Sequence, residues 1–296
     1  MIVRLLDVDS KIPNLALMKI SSYHKKLGDD VDFYIPLFDQ NIDLLYVSKI
    51  FKFSNEPFYL PNNCKIMYGG TGYDISTKLP SEIEMELDLD YSLYPSCDYS
   101  IIFTTRGCVR DCKFCLVREK EGFIHDVPIC NLNKNGKFIK IFDNNFFASN
   151  SWKHRLNILK SYNQPLDFNG GIDLRILTEE MCVELSKCKI KQIHCAFDNY
   201  KDKAIVVEKI KLLSKYIKPY KITCYVLVGF ETKEINEKDL ERIEILRSLK
   251  VNPFAMGYID FKNKYYEKSK SVKEFCRWVN RKELFKTCKF NDYKKN

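Results

Sequence analysis

The sequence predicts an α/β protein with a parallel sheet, closed or partly closed as a barrel, and a smaller α/β region in front of it. From residue 96 onward, six apolar runs typical of strands alternate with amphipathic stretches typical of helices. Residues 1–95 show a shorter alternation of the same kind, which ends in an acidic stretch with two prolines. With 296 residues and 45% hydrophobic content, the chain is large enough for one barrel-sized domain and a small second domain.

The first expected domain, residues 1–95, begins with the strand "IVRLLDVD". A helix follows in "IPNLALMKISSYHKKLGDD", where Ala16, Ile20, Tyr23 and Leu27 form one apolar stripe and Gly28 provides the C-terminal cap. Three more strands are expected in "VDFYIPL", "IDLLYVSKIF" and "CKIMYGG". The stretch "PSEIEMELDLDYSLYPSCD" has neither a helical nor a strand period, and we expect it to be a linker.

The second expected domain, residues 96–296, contains six strands, in "DYSIIFTTRG", "KFIKIFDNN", "PLDFNGGID", "IKQIHCAFD", "ITCYVLVGFE" and "PFAMGYID". Helices are expected between them, in "SWKHRLNILKSY", "TEEMCVELSKC", "KAIVVEKIKLLSKY" and "KDLERIEILRSLK". The final helix is expected to start with a capping box at Ser271 and Glu274. It would then present one apolar face, formed by Val272, Phe275, Cys276 and Val279.

The sequence has no feature of a secreted or membrane protein. Its first apolar run is interrupted at Asp7 and Asp9, and no later run approaches eighteen uncharged apolar residues. Most of the 12 cysteines stand singly inside apolar runs, which favours reduced thiols over a disulfide framework. We therefore expect a cytoplasmic protein that does not contact a membrane.

The charge of the chain is unevenly distributed. The net charge is +9, yet residues 1–95 contain 9 Lys and Arg against 14 Asp and Glu, so the basic excess lies in the second domain. The last segment, "FKNKYYEKSKSVKEFCRWVNRKELFKTCKFNDYKKN", is both basic and aromatic. Such a segment fits a nucleic acid or nucleotide partner, and its alternative is a solvated lysine-rich helix face.

Three cysteines in "RGCVRDCKFC", Cys108, Cys112 and Cys115, form a C-x3-C-x2-C pattern. They follow the first expected barrel strand, so they belong to a β/α loop at the face where barrel enzymes carry out their chemistry. Thiolates are ligands that suit zinc and iron-sulfur clusters. A structural zinc site takes four protein ligands, whereas a catalytic metal centre held by three leaves one position for a substrate or cofactor.

Two other interpretations of these cysteines stay open. A non-catalytic zinc module that binds nucleic acid would combine the triplet with one remote ligand, Cys97, Cys130 or His125. Simple electron transfer would require a fourth protein ligand to a cluster. The other cysteines have no ligand spacing and are expected in the core, and His154 and His194 are expected to have structural roles.

Four later strands are each followed by an acidic residue, namely Asp143, Asp173, Asp198 and Glu231. Residues at these strand ends face the mouth of a barrel, where carboxylates can hold an ammonium group or ribose hydroxyls. The alternative for each acid is a helix cap that accepts hydrogen bonds from free backbone N–H groups.

The motif "RGCVRDCKFC", with Phe114 directly before its last cysteine, resembles the cluster motif of the radical S-adenosylmethionine (SAM) enzymes. The resemblance extends over about residues 97–260. It implies a partial (β/α)6 TIM-like barrel in which Cys108, Cys112 and Cys115 bind three irons of a 4Fe-4S cluster and SAM chelates the fourth. It also implies that a reductant such as flavodoxin or ferredoxin feeds the cluster, which splits SAM into methionine and a 5′-deoxyadenosyl radical that removes a hydrogen atom from a substrate.

The same resemblance suggests which residues contact SAM. "DNN" at 143–145 stands where the family's usual Gly-Gly-Glu binds the methionine amino group, and Arg175 in "IDLR" would pair with the SAM carboxylate. "VGFE" at 228–231 resembles the glycine-containing strand that contacts adenine, and Phe114 would pack near the adenine. The full expected set is Phe114, Asp143, Asn144, Asn145, Asp173, Arg175, Asp198, Gly229 and Glu231. The substrate and the catalytic residues are not indicated by the sequence.

A short α/β unit before such a barrel is similar to the Rossmann-like domain of the cobalamin-dependent radical SAM enzymes, and "CKIMYGGTGY" resembles its paired-glycine loop. The cobalt-binding motif D-x-H-x-x-G is absent, because His24 in "SSYHKKLGD" has no Asp two residues before it. The unit is also short for a corrin. We therefore expect a small, truncated Rossmann-like domain that binds no cobalamin.

Overall fold

The computed structural model describes residues 1–261, 263 and 265–293. It divides the chain into two compact units. The first unit contains Met1–Ile102 and Pro128–Lys137, and the second contains Phe103–Val127 and Phe138–Asn296. The chain therefore passes from one unit to the other three times. We had expected a single passage, at the linker before residue 96.

The first unit is built on a four-stranded parallel sheet of order β2-β1-β3-β4. Helix α1 begins at Asn14, whose side chain accepts hydrogen bonds from the N–H groups of Ala16 and Leu17, and it is followed by Gly28 at φ +83°. The elements are β1 (Ile2–Asp7), α1 (Leu15–Lys26), β2 (Asp30–Phe33), β3 (Leu44–Ser48), β4 (Lys65–Gly69), α2 (Ser81–Glu84) and β5 (Tyr99–Ile102), with a 3-10 turn at Tyr91–Leu93.

The segment that we expected to be a linker is part of the core of the first unit. Ile83 of α2 and Leu93 of the 3-10 turn are buried in the same apolar cluster as Val3 and Leu5 of β1. Asp90 accepts hydrogen bonds from Ser21 and Lys25 of helix α1, among others. The stretch is therefore packed on the first unit through some of its apolar residues, although Met85 and Leu87 are exposed.

The second unit contains a parallel sheet of order β12-β11-β10-β9-β8 that is covered by helices. Its elements before and within the first half of the sheet are β6 (Thr105–Arg106), α3 (Val117–Glu121), β7 (His125–Asp126), β8 (Phe138–Ile141), α4 (Trp152–Ser161), β9 (Leu166–Ile172), α5 (Glu179–Ser186) and β10 (Ile190–Ala196). Those that follow are α6 (Lys203–Ser214), β11 (Ile222–Val228), α7 (Glu237–Ser248), β12 (Asn252–Gly257), α8 (Lys270–Asn280), α9 (Lys282–Thr287) and α10 (Phe290–Tyr293). The predicted parallel α/β architecture is confirmed, and closure into a partial barrel stays a prediction.

The two faces of this sheet differ in composition. Apolar residues such as Ile139, Ile193 and Val226 are buried on the face that the helices cover. The residues between them point to the opposite face, which we call the polar face; it is defined by Lys140, Asp167, His194, Tyr225 and Phe254. Asp167 and His194 form an ionisable pair on the polar face.

The C-terminal helices bury their aromatic residues. Trp278 of α8 is fully buried and contacts Phe285 of α9 and Phe290 of α10. The cap of α8 differs from our expectation: Ser269, not Ser271, accepts the hydrogen bond from the N–H of Val272, because the helix begins two residues earlier. None of the helices in the described part of the chain is long and apolar enough to cross a bilayer.

Candidate metal centre

The three cysteines of the motif lie between β6 and α3, in a segment we call the cysteine loop, residues 107–124. All three are free thiols. The base of the loop is closed because β6 and β7 pair as a two-residue antiparallel ladder, with Arg106 opposite His125. The N–H of Cys108 also donates to the carbonyl of Gly122 across this base, at 3.3 Å.

Gly107 makes this closure possible. Its φ is +76°, and a Cβ at this position would lie 2.3 Å from the carbonyl oxygen of Phe123. On the other side of the loop, Arg118 lies over the Phe123 ring at 3.4 Å and donates a hydrogen bond to the carbonyl oxygen of Cys108 at 3.1 Å. The first cysteine is therefore held on a backbone with little freedom to move.

The chemical surroundings of the thiols suit a cluster held by three thiolates. The N–H of Arg110 points at the sulfur of Cys108 at 3.3 Å, and the N–H of Cys115 closes a turn onto the carbonyl of Cys112 at 2.9 Å. Desolvation raises the pKa of the Cys112 thiol, the positive charge of Arg175 opposes this rise, and the other two cysteines add to it. N–H donors and charges near sulfur are the means by which proteins tune iron-sulfur clusters.

In the described residues, no three His, Cys, Asp or Glu side chains form a group ready to hold a metal ion. The remote zinc ligands that the alternative interpretation requires have other surroundings. Cys130 is buried in the first unit beside Met18 and Leu89, and the Cys97 thiol donates to the carbonyl of Tyr99. His125 is exposed on β7, where Nδ1 lies 2.9 Å from the carbonyl oxygen of Phe123.

Asp143, which we expected at the SAM amino group, instead forms its hydrogen bonds with the segment that leads into the cysteine loop. Its carboxylate accepts hydrogen bonds from the N–H and hydroxyl of Thr104 and from the hydroxyl of Thr105, and the residue is only 1% exposed. Burial raises the pKa of Asp143, and the threonine hydrogen bonds oppose this rise. This carboxylate fixes the start of the loop to the end of β8.

Asn144 also stabilises the cysteine loop. Its amide donates to Glu121 at the end of α3, at 2.7 Å. Glu121 further accepts the N–H of Gly107 at 2.9 Å and forms an ion pair with Arg106 at 2.8 Å. Glu121 was missed in the sequence because it stands in a charged stretch that is typical of a solvated helix.

Asn145 and Asp173 come together with two arginines. The Asp173 carboxylate is within 2.7 Å of Arg175 Nε and 2.9 Å of Arg110 Nε, and the Asn145 amide approaches it at 3.4 Å. Burial raises the pKa of Asp173, but the arginines outweigh this effect and leave the pKa below its usual range. The side-chain oxygen of Asn145 is buried and has no hydrogen-bond partner in the described part of the structure.

A bulge at the end of β9 places Asp173. The pairing with β10 shifts register between Phe168 and Ile172, and Gly171 has φ +105°. A Cβ on Gly170 would lie 2.2 Å from the carbonyl oxygen of Asp143, so the ends of β8 and β9 approach more closely than side chains allow. Such bulges redirect the side chains that follow them, and here the next side chain is Asp173.

Arg175 and Asp198 belong to the electrostatic surroundings of the thiols. Arg175 carries a raised pKa through its hydrogen bond to Asp173, and its charge favours the ionised form of Cys112. Asp198 accepts the N–H of Leu227 at 2.9 Å, and burial raises its pKa. The negative charge of Asp198 acts on Cys112 and Cys115 in turn.

Phe114 is the first ring of an aromatic row. Its ring contacts Phe230 edge-on with centroids 5.5 Å apart, and Phe230 contacts Tyr258 in the same way at 4.8 Å. The row connects the cysteine loop to the ends of β11 and β12, and the sequence had indicated only Phe114. Gly229 has φ +75°, and a Cβ there would lie 2.8 Å from Val272 of α8, while the Glu231 side chain is exposed.

Comparison with known proteins gives the fold. No family model matches the chain, and no curated protein matches its sequence. Two solved structures of TsrM from Kitasatospora setae, a radical S-adenosylmethionine methyltransferase, are similar with a TM-score of 0.63 each. The one with cobalamin and a [4Fe-4S] cluster bound is 12% identical and aligns over 86% of this chain and 74% of its own. The one with tryptophan substrate and the SAM analogue aza-SAM bound is 11% identical over 87% and 73%.

This likeness shows that the chain has a radical SAM-like fold. The aligned 86% of the chain is longer than the second unit, so it includes part of the first unit as well.

The two features of the first unit that were compared with a cobalamin site, His24 and the paired-glycine loop, are engaged with their own chain, and the absence of cobalamin stays a prediction. His24 is buried, with Nδ1 2.7 Å from Asp29 and Nε2 3.0 Å from the hydroxyl of Tyr46, so both ring nitrogens have partners. A Cβ on Gly70 would lie 2.3 Å from the carbonyl oxygen of Lys49, so the paired-glycine loop packs on its own chain.

Proposed function

We propose that the chain is a radical SAM enzyme in which Cys108, Cys112 and Cys115 hold a 4Fe-4S cluster and SAM takes the remaining iron. One observation carries the proposal: three free thiols lie in a loop that is closed at its base and held by Asp143 and Glu121, within a radical SAM-like fold. When bound, a cluster of this kind supplies the electron that cleaves SAM to methionine and a 5′-deoxyadenosyl radical for hydrogen abstraction.

The residues beside the thiols suit the two charged groups of the methionine part of SAM. Arg110 and Arg175 offer positive charge for the carboxylate. Both form ion pairs with Asp173 in the free protein. The unpartnered oxygen of Asn145 is an acceptor that an ammonium group would satisfy. We therefore assign the amino group to Asn145 and Asp173 rather than to Asp143, which the threonines already occupy.

The aromatic row is suited to the adenine of SAM. Phe114, Phe230 and Tyr258 are half-buried, so their rings are accessible to a flat ligand beside the cysteine loop. Gly229 lies next to Phe230, but it is buried, and its close packing against Val272 accounts for the glycine.

We further propose that the partners are a small reductant protein, such as flavodoxin or ferredoxin, and a substrate that is a nucleic acid or nucleotide. The basic helices support phosphate contacts, because Lys273, Arg277 and Lys286 are exposed. Phe275, Trp278, Phe285 and Phe290 of these helices are buried, so base stacking on these four does not contribute.

The test is anaerobic reconstitution with iron and sulfide, followed by reductant and SAM. We expect brown protein with about four irons per chain and slow release of 5′-deoxyadenosine. Cys112→Ala should abolish this release, whereas Cys64→Ala, a matched change of a free cysteine in the first unit, should leave it unchanged. Equal product from Cys112→Ala and the wild type would refute the assignment, and colourless protein with one zinc per chain would favour the zinc module.

A further inference from the structure

The polar face of the second unit carries an ionisable pair that the proposed SAM chemistry does not use. Lys140 of β8 pairs in register with Asp167 of β9, and Tyr225 of β11 pairs with Phe254 of β12. Between them, the ring of His194 on β10 stacks on Tyr225, with centroids 5.2 Å apart and planes at 12°. Five successive strands thus contribute one neighbouring side chain each.

The contacts of His194 fix its tautomer. Nδ1 lies 3.1 Å from the carbonyl oxygen of Phe168, and since a carbonyl only accepts, Nδ1 carries the proton. Burial lowers the pKa of His194, so the ring is neutral near pH 7. Nε2 then presents a lone pair, and it makes no hydrogen bond within the described residues.

Asp167 supplies a second acceptor beside the first. Its Oδ1 is buried, has no hydrogen-bond partner in the described structure, and lies 3.5 Å from Nδ1 of His194, which is too far for a hydrogen bond. Burial raises the pKa of Asp167, and the charges of His194, Lys140 and Lys191 oppose this rise. The buried Oδ1 of Asp167 is costly to leave unpaired, and Nε2 of His194 is a second acceptor close by that a ligand with a donor would satisfy.

The same place offers a flat apolar surface. Phe254 meets Tyr225 edge-on at 5.7 Å, and Phe254 and Met256 are 42% and 46% exposed. Burial raises the pKa of Tyr225 to about 12, so its hydroxyl stays protonated and adds no charge. An aromatic surface next to unpaired acceptors is complementary to a ring that carries a hydrogen-bond donor.

We propose that the polar face binds a planar heteroaromatic ring that donates an N–H hydrogen bond to Nε2 of His194 and stacks beside Tyr225 and Phe254. Nucleobases and indoles belong to this chemical class. That such a ring is the substrate rests on the proposed function, whereas its binding does not.

The test compares indole with 1-methylindole, which has the same flat surface and no N–H donor. Each is titrated into the full chain labelled with ¹⁵N-histidine, and long-range ¹H–¹⁵N spectra report the tautomer of each of the 4 histidines. His194→Gln assigns the His194 signals. We expect a neutral Nδ1–H tautomer and a saturable shift of Nε2 with indole, and weaker binding of 1-methylindole by about tenfold, because one hydrogen bond is lost.

Two further variants keep the result interpretable. Tyr225→Leu should weaken both probes alike, because it removes the stacking surface and keeps the acceptor. His154→Gln, on the exposed side of α4, should change neither. An Nε2–H tautomer, equal binding of both probes or no saturable shift would overturn the proposal. Since no SAM is added, failure here leaves 5′-deoxyadenosine release unaffected, and loss of that release in Cys112→Ala leaves indole binding intact.

Discussion

Replacing Gly107 with alanine should open the cysteine loop. Alanine at φ +76° costs about 1–2 kcal/mol in backbone conformation alone. Its Cβ would also lie 2.3 Å from the carbonyl oxygen of Phe123, so this backbone must move by about 1 Å to reach an ordinary contact distance. The movement breaks the hydrogen bond from Cys108 to Gly122 and weakens the β6–β7 ladder, each worth about 1 kcal/mol. Together these effects amount to about 3–4 kcal/mol.

The assay is iron content after reconstitution, together with thermal unfolding. Gly28→Ala is the matched control, because Gly28 has φ +83° and nothing lies within 4 Å of its added Cβ. The control should lose only the backbone cost of about 1–2 kcal/mol and keep its iron. Gly107→Ala should lose most of its iron. If both variants bind iron equally and unfold at the same temperature, the loop closure does not position the cysteines as argued.

Further predictions concern four other features. Asn145→Leu should raise the KM for SAM more than it lowers kcat, because it removes the acceptor for the amino group, and steady-state 5′-deoxyadenosine release measures both. Asp173 has a pKa below its unfolded value, so its contribution to stability is present above about pH 4 and is lost as the pH falls further. Urea midpoints measured at pH 3–7 should therefore differ between wild type and Asp173→Asn mainly at the higher pH. Lys273→Glu combined with Arg277→Glu should weaken binding of single-stranded RNA and flatten its salt dependence, measured by fluorescence anisotropy in increasing salt. Incubation with hydroxocobalamin followed by desalting should leave no bound corrin absorbance, since His24 has no free ring nitrogen.

Much of the fold could be predicted because the apolar runs are periodic. Every strand from β8 to β11, and every helix from α4 to α6, falls inside a stretch that the sequence indicates, and β12 and α7 each begin one residue before theirs. The β6–β7 ladder escaped because a two-residue strand has no period to detect. The linker prediction was wrong because the stretch has no helical or strand period, so nothing in the sequence separated buried residues such as Ile83 and Leu93 from exposed ones such as Met85.

The supporting residues of the site were harder to predict than the cysteines. The C-x3-C-x2-C spacing can be recognised in the sequence itself. Arg110 and Glu121, in contrast, bond to residues far from them in the chain, Arg110 to Asp173, 63 positions away, and Glu121 to Gly107, 14 positions away. The sequence does contain one indication of the polar face, because Asp167 and His194 are ionisable residues inside apolar strands. The sequence does not show which nitrogen of His194 would be left without a partner, because that depends on the carbonyl of Phe168 on the neighbouring strand.

The three neighbouring residues at 143–145 have different hydrogen-bond partners and therefore different roles. Asp143 points back to Thr104 and Thr105, and Asn144 points to Glu121, so both hold the cysteine loop. Asn145 alone points toward Asp173 and keeps an unpaired oxygen. An unpaired buried acceptor costs about 1–3 kcal/mol. A ligand that donates a hydrogen bond is therefore favoured at Asn145, the third residue of the segment, and not at Asp143, the first, which is already paired. The acidic charge that an ammonium group also requires then comes from Asp173, on the neighbouring strand, rather than from the segment itself.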